Sequence, residues 1–106
     1  MATAAIGLGA NLGDRIRTLR EAVRRLAALG HICAVSSLYE TEPVGFREQP
    51  SFLNAVIRLE TTHRSGDILR ELLTIEADLG RERTFRNAPR TLDLDLLLLD
   101  DIVLDT

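Results

Sequence analysis

Two carboxylates, Asp93 and Asp95, stand two positions apart inside PRTLDLDLLLLDD (89–101), the most leucine-rich stretch of the chain. In a strand that spacing puts both on one face, ~6.6 Å apart along it. Their mutual repulsion is ~0.6 kcal/mol in bulk water and ~2.5 kcal/mol at an effective dielectric near 20. Two acids on a wet sheet surface therefore cost little, but the cost grows if anything covers them. A divalent cation removes the repulsion, and Mg²⁺ is commonly held by one or two carboxylates together with substrate phosphates. Aspartate is poorly suited to strands, so the pair reads as a cation site.

Arg81, Arg83, Arg86 and Arg90 lie just upstream. Guanidinium forks match phosphate oxygens, although a charged loop alone is equally a solvated one. Beside a cation site the arginines gain meaning, because phosphoryl transfer places metal and arginine on the same phosphates. All 13 basic residues are arginine, with no lysine. A lysine-dependent phosphate loop is thereby excluded. GLGANLGDR (7–15) has the spacing GxGxxxG and no βαβαβ pattern follows it, so a tight turn explains it better than dinucleotide binding. His31 and His63 have no serine or cysteine partner that would suggest a triad. Cys33, the sole cysteine, reads as a small buried apolar residue and excludes an intrachain disulfide or thiol cluster.

The elements that must position these groups follow from periodicity. Residues 4–9 read as a strand. Asn11 or Asp14 can cap a helix whose stripe is Ile16, Leu19, Val23, Leu26 and Leu29, stopped by Gly30. Residues 32–41 read as a second strand, 43–50 as a loop, and Phe52–Thr61 as a third strand with Leu53, Ala55, Ile57 and Leu59 on one face. Ile68, Leu69, Leu72, Leu73, Ile75 and Leu79 mark a second helix ended by Gly80. A polar loop over 81–91 leads into a fourth strand, 92–99. The order βαββαβ predicts an α+β, ferredoxin-like fold: a four-stranded antiparallel sheet, both helices on one face, strand 1 between strands 3 and 4. With Leu92, Leu94, Leu96 and Leu98 toward the helices, Asp93 and Asp95 face the open side. Phe52 and Asn54 face it too, across a floor of Ala5, Gly7 and Gly9.

At 106 residues, 45% apolar and 27% charged, the chain reads as one globular domain. A net charge of −3 gives no reason to expect nucleic acid or an anionic membrane as partner. The start MATAAIGLGANLG lacks a signal-peptide pattern, and the leucine run is too short to span a bilayer. A cytoplasmic protein is expected.

Three segments carry more than patterning: GLGANLGDR (7–15), SSLYETEPVGFREQPSFLNAV (36–56) and EADLGRERTFRNAPRTLDLDLLL (76–98). Together they resemble the 6-hydroxymethyl-7,8-dihydropterin pyrophosphokinases of folate biosynthesis, transferases that move pyrophosphate from ATP to a pterin alcohol and release AMP. The resemblance implies a ferredoxin-like core, ATP as co-substrate and two Mg²⁺ ions. It implies that Asp93 and Asp95 ligate metal and that Arg81 and Arg90 contact the ATP phosphates and the transition state. It places Glu76 and Arg83 on the nucleotide side, with the Leu96 backbone reading adenine. It places Thr41, Pro43, Val44, Phe52 and Asn54 in the pterin pocket and Gln49 in the loop before it. Some members carry tryptophan where this chain has Asn87, in a loop one residue longer. The family also continues past the position of Thr106, with a further aromatic for the pterin and basic residues for ATP, so the chain is expected to be a C-terminally incomplete domain.

The alternative expectation is a non-catalytic pterin- or nucleotide-binding module, or a fragment completed by a partner. Val56, Leu97 and Leu99 on the open face would then support self-association. A ferredoxin-like RNA binder is disfavoured by the lack of a basic surface and of paired aromatics on central strands.

Overall fold

The structure, a computed structural model, describes residues 2–11, 14–41, 51–80 and 92–100. Strand β1 (Ala2–Ala10) leads to helix α1 (Arg15–Leu26) and a short 3₁₀ turn (Ala27–Leu29). Then come β2 (His31–Val35), β3 (Tyr39–Thr41), β4 (Phe52–Thr61), helix α2 (Ser65–Leu79) and β5 (Leu92–Asp100). The sheet is antiparallel, ordered β2-β4-β1-β5, with β3 also paired to β4. This is the expected ferredoxin-like α+β arrangement with β1 central. Alternate residues of β1 (Ala4, Ile6, Leu8, Ala10) and β4 (Leu53, Ile57, Leu59) form one core with Leu19, Ala22 and Leu26 of α1 and Ile68, Leu72 and Ile75 of α2. A single core shared by both helices puts them on the same face of the sheet. The other face carries the candidate site.

The expected second strand over 32–41 is two strands, so the sheet has five. Ser36 breaks it. Its N–H still donates to the Val56 carbonyl at 2.8 Å, but its hydroxyl accepts the Val56 N–H at 2.8 Å and donates to the Ser37 carbonyl at 3.0 Å, replacing the return ladder bond with a side-chain one. Cys33 occupies a register shift in β2 and is exposed rather than buried.

Asp14, not Asn11, caps α1, its carboxylate accepting the Arg17 N–H at 3.1 Å. Ile16, expected in the stripe, is exposed, as are Leu69 and Leu73 of α2. The face of α2 that meets the sheet is Ile68, Leu72, Ile75 and the half-buried Leu79; Leu69 and Leu73 lie about 100° around the helix from it. Ionic contacts from Arg25 to Asp78 (3.0 Å) and Glu71 (3.8 Å) join the two helices.

The leucine run corrects a second expectation. From Leu92 to Leu96 the alternation holds, but a bulge between Ile6 and Ala5 inserts Leu97 as an extra residue. Beyond it every side chain changes face. Leu99 therefore packs toward the core and Leu98, expected inside, is exposed. The open face carries Val56 and Leu97, without Leu99.

Candidate functional site

The open face is assembled by register. Tyr39 pairs with Asn54, Asn54 with Gly9, and Gly9 with Asp93, giving one row across four strands. The next row is Val56, Gly7 and Asp95. Cα partners in antiparallel pairs are 4.5–5.5 Å apart, so the Asn54 and Asp93 backbones stand about 10 Å apart with only glycine between. A flat ligand can lie on such a floor, touching an amide at one end and acids at the other.

Gly9 is required by close approach. A Cβ there would sit 2.9 Å from the Asn54 Oδ1 and 3.4 Å from the Phe52 ring. Gly7 is different: the Leu97 side chain lies over it at contact distance, 3.4 Å from where a Cβ would be. Both glycines therefore make room for side chains of the open face: Leu97 over Gly7, and the Asn54 amide and Phe52 ring over Gly9, beside Asp93.

The Asn54 amide has a fixed polarity. Its Nδ2 donates to Thr41 Oγ1 at 2.8 Å and lies 3.3 Å from the carbonyls of Tyr39 and Phe52. Backbone carbonyls cannot donate, so a flipped amide would put oxygen against oxygen. Oδ1 is thus turned toward Gly9 and offers an acceptor to whatever lies above it. Replacing Gly9 by alanine is expected to displace this locked amide and weaken a heterocyclic ligand about tenfold, the effect of losing one hydrogen bond of ~1.5 kcal/mol. Fluorescence titration with 6-hydroxymethylpterin checks it; unchanged affinity would show that the amide does not meet the ligand.

Asp93 is half-buried and Asp95 exposed, and both lie in the rows described. On the outer edge of β5, the Leu94 N–H donates to Glu76 Oε2 at 2.7 Å. Leu96 lies two residues further on. Its backbone groups share that outward direction, because orientation along an antiparallel edge alternates.

Sequence reasoning missed one cluster. Arg15, at the start of α1, bonds Glu40 Oε2 at 3.1 Å and the Ser51 carbonyl at 3.0 Å, while the Ser51 hydroxyl donates to Glu40 at 2.9 Å. It ties together the last described residues before 42–50 and the first after it. Only the presence of Arg15 in GLGANLGDR and of Glu40 in YETEP hinted at it. The hydrogen bond from Ser51, then the bond and charge of Arg15, hold the Glu40 carboxyl below its ordinary value of 4.5. A depressed carboxylate pKa contributes stability above the unfolded value, which is lost as pH falls through the folded one. The clasp is therefore intact at neutral pH and opens only in acid. Being exposed, it adds little to global stability. Ser51→Ala and Arg15→Ala should each return the Glu40 carboxyl toward its ordinary titration, read by carboxyl-carbon NMR; a midpoint unmoved in both variants would contradict the clasp.

Of the residues expected from sequence, the structure brings Thr41, Phe52, Asn54, Asp93 and Asp95 onto one face and Glu76 and Leu96 to the adjoining edge. Pro43, Val44, Gln49, Arg81, Arg83, Arg86, Asn87 and Arg90 lie outside the described residues. Among the described residues no group of three or more His, Cys, Asp or Glu is placed to hold a metal, and no helix is long and apolar enough to cross a membrane.

Comparison with known proteins decides the family. The family model of 7,8-dihydro-6-hydroxymethylpterin-pyrophosphokinase matches residues 5–105. The chain belongs to this family. Among its relatives, the 2-amino-4-hydroxy-6-hydroxymethyldihydropteridine pyrophosphokinase of Aquifex aeolicus is 37% identical over 106 residues, covering 100% of this chain and 66% of the relative. The protein of the same name from Bacillus subtilis is 44% identical over 97 residues, covering 90% and 58% respectively. The mitochondrial folate synthesis bifunctional protein of Arabidopsis thaliana is 48% identical over 94 residues, covering 87% and 17%. The chain thus spans less than two thirds of the length of these pyrophosphokinase relatives.

Proposed function

We propose that this pyrophosphokinase-family chain carries the platform on which pyrophosphate passes from ATP to the hydroxymethyl group of 6-hydroxymethyl-7,8-dihydropterin, with release of AMP, in folate biosynthesis. One observation carries the reading: the row Asn54–Gly9–Asp93, which sets a hydrogen-bond acceptor and a carboxylate about two strand spacings apart, with only a glycine in the strand between them.

Magnesium is the implied metal, as two ions, and the acids fit it. Asp93 and Asp95 share a face beside the glycine rows, and two carboxylates, with no third His, Cys, Asp or Glu beside them among the described residues, are a donor set that leaves positions for phosphate and water. Bound there, the metal would neutralise the negative charge of the transferring phosphates. The protein's own part is positioning. Phe52 supplies a ring for the pterin plane and Asn54 Oδ1 accepts from an N–H of its pyrimidinone edge, with Thr41 holding that amide. Pro43, Val44 and Gln49 complete the pterin side. The Leu96 backbone, facing outward on the β5 edge, can pair with adenine, which offers a donor beside an acceptor. Arg81, Arg83 and Arg90 bind phosphate oxygens and offset charge as it develops on the departing AMP.

The substrate hydroxymethyl oxygen attacks the β-phosphorus of ATP. That O–P bond forms as the bond to the α–β bridging oxygen breaks, AMP leaves with its electron pair, and the hydroxyl proton passes to solvent. No protein nucleophile is needed, in keeping with a site of acids and arginines.

The test is AMP release from ATP, Mg²⁺ and the pterin alcohol, measured by coupled assay. AMP formation that depends on both the pterin and the metal is the expected result. Pterin binding without turnover in the full-length protein would reduce the site to a binding module.

A further inference from the structure

The acids need a rigid support, and the geometry of β5 shows where it comes from. Among the described strands only β1 pairs with β5, which leaves the other side of β5 without a strand partner among the described residues. Because the Leu94 N–H reaches Glu76, Leu94 is a residue whose backbone groups point away from β1. Its neighbours Asp93 and Asp95 are then the ones that exchange ladder bonds with Gly9 and Gly7, their register partners. The two acids are held through their own backbones on the inner side. The residue between them is held through Glu76 on the outer side.

Glu76 suits that task better than contact with nucleotide phosphates. A carboxylate repels a triphosphate, whereas as acceptor of a backbone N–H it forms a charge-assisted bond, and 2.7 Å is the length expected of a strong one. It is anchored in turn: it lies in the last turn of α2, where its carbonyl accepts the Gly80 N–H at 2.7 Å and ends the helix. Helix end, carboxylate and strand form one rigid connection, and a part-buried N–H on the outer side of β5 is satisfied.

We propose that Glu76 is a positioning residue that acts on the metal site through Leu94, fixing the pitch of β5 so that Asp93 and Asp95 project together. The inference rests on the reading of those acids as metal ligands and adds a residue that reaches them through the Leu94 backbone. Outer partners of metal ligands typically contribute 10–100-fold to metal affinity or activity.

Glu76→Ala and Glu76→Gln separate the possibilities, because glutamine keeps an acceptor oxygen and loses the charge. In the full-length protein, Glu76→Ala is expected to speed hydrogen exchange of the Leu94 amide at least about tenfold and to raise the Mg²⁺ concentration for half-maximal activity about tenfold, with KM for the pterin unchanged. Glu76→Gln should reverse most of both effects. Unchanged Leu94 exchange in Glu76→Ala would overturn the clamp. Faster exchange with an unchanged Mg²⁺ requirement would overturn its role in positioning. Equal damage from both variants would assign the effect to charge and overturn the proposal. If Glu76→Ala does not fold, the glutamine variant decides: retained Leu94 protection and Mg²⁺ response support the clamp, and their loss removes it. Should the unaltered protein show no metal-dependent turnover, the pyrophosphokinase reading fails, while Leu94 exchange still reports on the clamp.

Discussion

Asp95→Ala is expected to lower AMP production on the order of 10³-fold or more, the size of effect seen when groups that stabilise transferring phosphates are removed. The side chain is exposed on the open face in the row of Gly7 and Val56, with its backbone in register on β1. Truncating it takes away no core packing and relieves the repulsion from Asp93. Stability should therefore change by no more than about 0.5 kcal/mol, as for other surface replacements. The loss belongs in turnover and metal dependence, not in the melting temperature. An Asp95→Ala protein that retained most of its activity would show that Asp95 does not hold the metal.

Gly30→Ala should produce the largest loss of stability, about 3 kcal/mol or more, because overpacking against backbone cannot be relieved by a rotamer change. A Cβ at Gly30 would be driven into the Glu60 carbonyl and would lie 3.1 Å from the Thr61 Cα. The neighbouring link makes the approach rigid: the buried Thr61 hydroxyl donates to the Leu29 carbonyl at 2.7 Å. The 3₁₀ turn after α1 is thereby held directly against β4. For a domain of about 100 residues such a loss lowers the melting temperature by roughly 12–24 °C. A calorimetric midpoint within about 3 °C of the parent would mean that the turn relaxes freely, contrary to this packing.

Much of this was legible in the sequence where one element's pattern decides the outcome. The alternation over 52–61 gave β4 to the residue, and the position of Asp93 and Asp95 opposite Leu92 and Leu94 followed from a period of two. The glycine-only floor followed from the same rule. The pattern failed where a third partner intervenes. Nothing in the four consecutive leucines 96–99 marks Leu97 as the inserted residue; the bulge depends on how β5 fits the start of β1. Ser36 breaks a strand because its hydroxyl finds the Val56 N–H, a contact between residues 20 apart. Leu69 and Leu73 have the right type for a core stripe but the wrong angle on α2. The Arg15–Glu40–Ser51 clasp and the Glu76–Leu94 bond are likewise tertiary contacts, without a local signature.

The most direct measurement is a crystal structure of the full-length protein grown with Mn²⁺ and a nonhydrolysable ATP analogue, using the anomalous signal to place the metal. Two manganese ions coordinated by the carboxylates of Asp93 and Asp95, together with phosphate oxygens, are the expected result. A nucleotide bound with no anomalous peak near either aspartate would contradict the assignment of this sheet face as the reaction platform.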